Sequence, residues 1–232
     1  MTLPDDRLIV ALDTPSYSRA IELARAVAPA AGWVKVGKEL FVANGPQIVR
    51  DLKALGLKVF LDLKFHDIPN TVAQAVRQAA ELGADLTTVH ALGGRAMMKA
   101  AAQAAQDSGS DLKVVAVTLL TSMGADDAAE VGIGGSPEEI VRRLAQLALD
   151  SGLHGVVASG QEAPMLRTLL GQQAWIVTPG IRPLGSAAGD QTRIVTPPQA
   201  IEGGASHIVV GRPITGAEDP ASAAAAIATS LP

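Results

Sequence analysis

The sequence has no cysteine among its 232 residues, which excludes a disulfide scaffold, a thiolate metal site and a cysteine nucleophile. Aromatic residues make up only 3%, and 19 basic residues nearly balance 23 acidic ones, for a net charge of −4. Such mild acidity gives no sequence-neutral attraction for a nucleic-acid backbone or an anionic membrane, so we expect neither as a partner. No apolar run approaches the roughly 18 residues that a membrane span requires.

The remaining composition is that of a folded protein with a large core. Hydrophobic residues account for 48% of the chain, and a chain of this length buries roughly 70–75% of its unfolded surface on folding. The first residues, Met1 to Arg7, carry two acids and one base, and the apolar stretch Leu8 to Leu12 is too short for a signal peptide. We therefore expect a soluble cytoplasmic protein.

Short apolar runs rich in β-branched residues alternate with longer segments of helical period. Alternation of this kind predicts parallel strands, because each return to the sheet needs a crossover helix. Eight repeats in about 230 residues favour a single-domain (β/α)8 TIM barrel over residues 1–232. An open, doubly wound sheet is the alternative, although no GxGxxG follows the first strand. The candidate strands are Leu8–Leu12, Trp33–Val36, Lys58–Leu63, Leu86–Val89, Lys113–Val117, Gly155–Val157, Trp175–Val177 and His207–Val210.

The third candidate strand carries the most informative charges. In a barrel of this kind the chemistry lies at the carboxyl ends of the strands. Asp62 and Lys64 are two residues apart, so on a regular strand both side chains point to the same side. Asp67 follows where the strand has ended, and Lys35 on the second strand would place another ammonium beside Asp62.

A simple salt bridge at the barrel rim is the alternative explanation for these charges. Charged groups are costly to place among apolar strand residues unless they are paired, and buried pairs seldom stabilise a fold on balance. The alternation of Lys35, Asp62, Lys64 and Asp67 between apolar neighbours therefore favours a catalytic role.

These residues also form a recognisable pattern. The run Asp-x-Lys-x-x-Asp-Ile-Pro-x-Thr over residues 62–71, with Val-Lys-Val-Gly over residues 34–37, resembles the orotidine 5′-phosphate decarboxylase family. The resemblance covers the whole chain, and its (β/α)8 fold agrees with the periodicity. Further motifs in the family's order are Leu12-Asp13, Leu120-Thr121-Ser122-Met123, Thr178-Pro-Gly-Ile-Arg182-Pro and Val210-Gly211-Arg212-Pro213.

The resemblance implies decarboxylation of orotidine 5′-monophosphate (OMP) to UMP and CO2 in pyrimidine biosynthesis, with no metal or organic cofactor. Loss of CO2 leaves a carbanion that the ring cannot delocalise, and by resemblance Lys64 stabilises and protonates it. Asp62 would lie beside the departing carboxylate, and Lys35 and Asp67 would complete the charge network. Ground-state repulsion and preorganised electrostatics both remain open as accounts of the role of Asp62.

The same resemblance assigns the substrate contacts. Asp13 and Lys35 would bind the ribose, Thr121 the pyrimidine, and Gly211 and Arg212 the phosphate. Arg182 and Gln191 lie in a long loop that closes over the phosphate in the family. The alternatives are a helix cap for Asp13, a turn hydroxyl for Thr121 and a plain surface loop.

The family further implies a symmetric homodimer. The residues matching Asp67, Ile68 and Thr71 reach into the partner's active site in the family, so each site would lie at the interface. The full set of predicted substrate-binding residues is Asp13, Lys35, Asp62, Ile68, Thr71, Thr121, Arg182, Gln191, Gly211 and Arg212.

None of the four histidines is predicted to be catalytic. His66 is interpreted as a loop residue, and His90 ends the fourth strand near the barrel mouth, where it could support the site. His154 and His207 are expected at the opposite end of the barrel. Trp33 and Trp175 are expected to be packing residues.

Two other functions compete with this interpretation. Metal-dependent relatives such as 3-keto-L-gulonate 6-phosphate decarboxylase share the Asp-x-Lys-x-x-Asp strand but have a glutamate where this chain has Lys35, and a cation there repels a metal. A catalytically silent barrel that binds a phosphorylated metabolite would need Gly211 and Arg212, but not the charge network.

Overall fold

Eight parallel strands close into a barrel in which every strand pairs with its neighbours in sequence, and β8 pairs with β1. The computed structural model describes residues 3–183 and 195–232. The closed barrel confirms the predicted (β/α)8 fold and excludes the open sheet. The strands are β1 (Asp5–Ala11), β2 (Ala31–Gly37), β3 (Lys58–Phe65), β4 (Leu86–His90), β5 (Lys113–Val117), β6 (Gly155–Val157), β7 (Trp175–Thr178) and β8 (His207–Val210).

Helices connect the strands and cover the outside of the barrel. Their ends follow local sequence signals: α7 begins with a capping box in which the Ser136 hydroxyl accepts the Glu139 N–H at 3.3 Å and the Glu139 carboxylate accepts the Ser136 N–H at 2.8 Å. Within the described ranges, no helix is both long and apolar enough to cross a membrane. The helices are α1 (Tyr17–Val27), α2 (Lys38–Asn44), α3 (Gln47–Ala54), α4 (Pro69–Glu81), α5 (Gly94–Asp107), α6 (Ala125–Glu130), α7 (Pro137–Asp150), α8 (Ala163–Leu170), α9 (Pro197–Glu202), α10 (Arg212–Thr215) and α11 (Pro220–Ser230), with a 3₁₀ turn at Ala91–Gly93.

The inside of the barrel changes from apolar to charged along the strands. Alternate residues of each strand point inward, and the inward apolar residues form one cluster comprising Ile9, Ala11, Trp33, Phe60, Leu86, Val115, Val177 and Val209. On or just after four strands, a polar residue lies two positions after an apolar residue of this cluster. Asp13 follows Ala11, Lys35 follows Trp33, Asp62 follows Phe60 and Thr88 follows Leu86. The chemistry-bearing groups therefore lie at the carboxyl-end mouth.

Strand β3 has a bulge just before it ends. Its pairing with β4 runs from Leu61 opposite Thr87 directly to Phe65 opposite Val89, so β3 accommodates two extra residues. Within the described ranges, Lys64 in this bulge is the one non-glycine residue with a positive φ, at 55°. Bulges commonly re-aim side chains beside active sites, and a left-handed lysine is a strained residue that its surroundings must hold.

The amino-end of the barrel is closed by aromatic rings. The ring of His207 stacks on Trp175 with centroids 4.3 Å apart, and both rings meet the edge or face of Trp33. This agrees with the expected position of His207 and with the expected packing role of Trp33 and Trp175. Burial, opposed by the carboxylate of Asp6 and helped by the charge of Lys58, lowers the pKa of His207 from its ordinary 6.5 to about 4.

We predict that His207 makes the protein less stable in weak acid. Because its folded pKa is depressed, the unfolded chain binds the proton more readily between about pH 6.5 and pH 4, and stability falls as the pH falls through that window. Between pH 7 and pH 5, wild type should lose up to about 2 kcal/mol more unfolding free energy than His207→Phe, which keeps an aromatic ring there. Urea denaturation at fixed protein concentration measures this difference. Equal losses in the two proteins would contradict the prediction.

The bulge predicts an unusual order of stability at residue 64. In the left-handed region glycine is favoured over alanine, so Lys64→Gly should be about 1 kcal/mol more stable than Lys64→Ala. Lys58, at the start of the same strand, is the matched control: there alanine should be the more stable replacement. Chemical denaturation of the four variants tests this, and an alanine preference at both positions would refute the backbone geometry.

Candidate active site

Two lysines and two aspartates form an alternating chain of charges at the mouth of the barrel. The Lys64 ammonium donates to both carboxylate oxygens of Asp62, at 2.8 and 2.7 Å. The Lys35 ammonium donates to Asp13 at 2.8 Å and lies 3.9 Å from the nearer oxygen of Asp62. The order along the chain of contacts is therefore Asp13, Lys35, Asp62, Lys64, with opposite charges adjacent at each step.

Burial sets the energetics of this arrangement. Asp62 is 9% exposed, and the Lys35 and Lys64 side chains are 11% and 27% exposed. A carboxylate at this depth requires partners for its lone pairs. It has two ammonium groups and the hydroxyl of Thr88, which donates to Asp62 Oδ1 at 2.9 Å.

The charges lie where two cavities adjoin. A small cavity of about 80 Å³ has mostly apolar walls and reaches Thr121, with lining residues Phe60, Val117, Leu119, Leu120, Val157, Val177, Pro179 and Val209. A larger, more polar cavity of about 370 Å³ contains Asp13, Arg182, Gly211 and Arg212. Lys35 and Asp62 line both. The cleft thus has an apolar end, a charged centre and a cationic end.

Several predicted binding residues meet in the larger cavity. Gly211 follows β8, and Arg212 begins α10 beside it. Arg182 is 7% exposed and donates from Nη1 to the Ile181 carbonyl at 2.9 Å. The Arg182 backbone N–H also donates to the carbonyl oxygen of Val195. Gln191 lies outside the described residues.

Asp13 does not cap the helix that follows it. Ser16 is the N-cap of α1, and its hydroxyl accepts the Arg19 N–H. The carboxylate of Asp13 contacts Lys35 instead, so the capping alternative is wrong.

The predicted partner-facing residues are exposed and separate from the charge network. Asp67, Ile68 and Thr71 all face solvent in the single chain, and Ile68 is 67% exposed. Asp67 accepts the N–H of Ile68 at 2.6 Å, and within residues 3–183 and 195–232 it forms no ion pair. One chain alone therefore does not bring Asp67 to Lys64.

His90 lies beside the site as a neutral group. Its ring stacks on His66 with centroids 5.3 Å apart. Burial, with smaller contributions from the neighbouring His66, Lys64 and Lys38, lowers the pKa of His90 from 6.5 to about 4. At neutral pH it therefore adds no charge next to Lys64.

Two residues of the site had no predicted role. Thr88 accepts the Lys64 backbone N–H at 2.9 Å as well as donating to Asp62. A Cβ at Gly37 would lie 3.0 Å from the Lys35 ammonium and 3.1 Å from the Asp13 carboxylate, so glycine leaves room for that ion pair. The sequence could have shown that Thr88 points inward, because it lies two positions after the inward residue Leu86. No sequence pattern indicates the crowding at Gly37, because it depends on how the side chains pack.

The site is poorly suited to a divalent cation. Across the described part of the chain, no group of three or more His, Asp or Glu side chains could hold a metal ion. The Lys35 ammonium lies between the Asp13 and Asp62 carboxylates and takes up the space where a cation would bind them. A magnesium ion prefers oxygen ligands and would be repelled there.

The chain is similar in sequence to orotidine 5′-phosphate decarboxylases. Residues 6–227 match the model of the orotidine 5′-phosphate decarboxylase / HUMPS family. The chain is 54% identical to the orotidine 5′-phosphate decarboxylase of Halorhodospira halophila, over 97% of this chain and 95% of that protein. It is 50% identical to the enzyme of the same name from Nitrosococcus oceani, over 97% of both chains.

Two solved structures have the same fold over nearly the whole chain. The crystal structure of orotidine 5′-phosphate decarboxylase from Lactobacillus acidophilus superposes with a TM-score of 0.86 at 40% identity, covering 97% of this chain and 98% of that one. An uncharacterized conserved protein from Geobacillus kaustophilus gives a TM-score of 0.82 at 40% identity, covering 95% and 97%. With barrel, charge network and sequence in agreement over nearly its full length, the chain belongs to the orotidine 5′-phosphate decarboxylase / HUMPS family.

Proposed function

We propose that this protein decarboxylates OMP to UMP and CO2 without a cofactor, through a C6 carbanion that Lys64 stabilises and protonates. The observation that carries the proposal is the Lys64 ammonium, fixed on both oxygens of Asp62 where the apolar and cationic cavities adjoin. Family membership supports the reaction, and the geometry supports the assignment of roles.

The distribution of apolar and charged residues along the cleft supports OMP as the substrate. A pyrimidine ring suits the small, largely apolar cavity that Thr121 lines, and a phosphate suits the Arg182 and Arg212 end of the larger one. The ribose would then lie near Asp13 and Lys35. In this arrangement C6 and its carboxylate would lie beside Asp62 and Lys64, at the junction of the two cavities.

The reaction moves one negative charge and one proton. As the bond between C6 and the carboxylate breaks, its electron pair stays on C6 and CO2 leaves. An ammonium that is already oriented stabilises this charge without reorganising. Lys64 then transfers a proton from Nζ to C6, which gives UMP and a neutral amine.

Lys35 separates this function from that of the metal-dependent relatives. In those decarboxylases an acidic residue at this position helps to hold magnesium, whereas here an ammonium bonds to Asp13 and neighbours Asp62. Charge repulsion at this position favours the metal-free reaction.

We further propose a homodimer in which Asp67, Ile68 and Thr71 complete the partner's site. Family membership supports this, and the exposure of all three side chains in the single chain leaves them accessible to a second chain. An aspartate from the partner would add a further carboxylate to the alternating charges.

The reaction is tested by the ultraviolet absorbance of OMP mixed with the purified protein in excess EDTA. We expect the spectrum to change to that of UMP for wild type, and Lys64→Ala to lower kcat by at least about 10⁴-fold, because electrostatic stabilisation and proton donation are lost together. Affinity for UMP should change little. Lys58→Ala, at the other end of β3 and paired with Asp6, should retain full activity.

Two outcomes would count against the proposal. Substantial activity in Lys64→Ala would remove Lys64 from the proton-transfer step. A folded, dimeric wild type that leaves OMP unchanged would point to the metal-dependent relatives, and magnesium with sugar phosphates would be the next assay.

The shared site is tested by mixing inactive chains. When Lys64→Ala and Asp67→Ala subunits are mixed equally and allowed to exchange, half of the dimers are hybrids with one intact site, so about a quarter of wild-type activity should return. A mixture of Lys64→Ala with Asp62→Ala is the control, because both residues serve the same chain's site and no intact site can form. No recovery in the first mixture would mean that Asp67 acts within its own chain.

A further inference from the structure

Thr88 on β4 connects the two charged residues at the centre of the site. It is fully buried. Its hydroxyl accepts the Lys64 backbone N–H at 2.9 Å and donates its proton to Asp62 Oδ1 at 2.9 Å. A threonine hydroxyl has one proton to donate, and here that proton is directed at the carboxylate that holds the Lys64 ammonium.

The bulge in β3 explains why this hydroxyl matters. The strand pairing skips from Leu61 opposite Thr87 to Phe65 opposite Val89, and the Lys64 N–H bonds to the Thr88 side chain. Lys64 is held there at a φ of 55°, which an L-residue adopts only when its surroundings stabilise it. Thr88 is thus the partner of the strained backbone unit.

The contacts form a closed loop. The Lys64 backbone bonds to Thr88, Thr88 to Asp62, and Asp62 to the Lys64 ammonium. One hydroxyl therefore fixes both the base of the lysine side chain and the acceptor at its tip. Without it, the partly buried Lys64 N–H would lose its partner, and Asp62 would lose one of the two groups that donate hydrogen bonds to it.

We propose that Thr88 is a positioning residue for the decarboxylation: it keeps the Lys64 ammonium oriented toward C6 by fixing the lysine backbone and the Asp62 carboxylate together. The proposal rests on the function proposed above. Misplacing a reacting group by a fraction of an ångström slows chemistry while substrate affinity is largely retained, so the effect belongs in kcat.

Thr87 provides a matched control on the same strand. It is also fully buried, and its hydroxyl donates to a β3 backbone carbonyl, that of Leu61, at 2.9 Å. Its side chain points to the opposite side of the strand from Thr88, away from the charges. Replacing either threonine with valine removes one buried hydroxyl at nearly constant volume.

The experiment compares Thr88→Val, Thr88→Ser and Thr87→Val in steady-state kinetics with OMP and in UMP binding. We expect Thr88→Val to lower kcat by about 10- to 100-fold, with the KM for OMP and the Kd for UMP within about threefold of wild type. Thr88→Ser, which keeps the hydroxyl, should recover to within a few-fold. Thr87→Val should retain wild-type kcat, whatever its effect on stability.

Three results would overturn the assignment: wild-type kcat in Thr88→Val, an equal loss in Thr87→Val, or no recovery in Thr88→Ser. If Thr88→Val does not fold, Thr88→Cys replaces it, because a thiol is a weak donor and acceptor and should give an intermediate kcat. Lys64→Ala distinguishes this proposal from the function it rests on. An active wild type with an inactive Lys64→Ala and a fully active Thr88→Val would reject the role of Thr88 alone.

Discussion

The ion pair between Asp62 and Lys64 is the constraint on which the rest of the site depends. Asp62 is 9% exposed, and Lys64 reaches it from a left-handed backbone conformation. A buried pair of this kind seldom stabilises a protein on balance, and the backbone of Lys64 adds strain. The surrounding structure offsets both costs, through the Thr88 hydroxyl on one side of Asp62 and the Lys35 ammonium on the other.

The barrel separates stability from chemistry along its axis. The amino end is filled by rings such as Trp33, Trp175 and His207, and the middle by apolar residues that include Phe60. This apolar packing anchors every strand below the mouth. Lys35, Asp62 and Thr88 each lie two positions after an inward apolar residue, so they also point into the barrel. The rigid strands β2, β3 and β4 thereby bring these polar groups together.

The sequence predicted the strands because their signals are local. Each predicted strand overlaps the observed one, and a helix start such as the capping box of Ser136 depends only on residues three positions apart. Inward placement of Lys35 and Asp62 followed from parity. The same parity argument was incomplete for Lys64, because the bulge breaks the regular strand between it and Asp62. The bulge and the Thr88 bridge depend on the register of β3 against β4, and neither strand alone encodes that register.

In the proposed reaction, the charge balance gives Lys35 a role that differs from that of Lys64. Asp13, Lys35, Asp62 and Lys64 sum to zero in the resting site, and the substrate carboxylate adds one negative charge. In the proposed reaction that charge moves to C6 and is neutralised there by the Lys64 proton, so Asp62 is left beside a neutral amine. Among residues 3–183 and 195–232, Lys35, 3.9 Å from Asp62, would then be the remaining cation next to that buried carboxylate. In the proposed mechanism it would stabilise the state that follows proton transfer, until Lys64 regains a proton from solvent. A neutral residue at position 35 would leave Asp62 unpaired at that step, which is a physical reason for two ammonium groups where only one donates the proton.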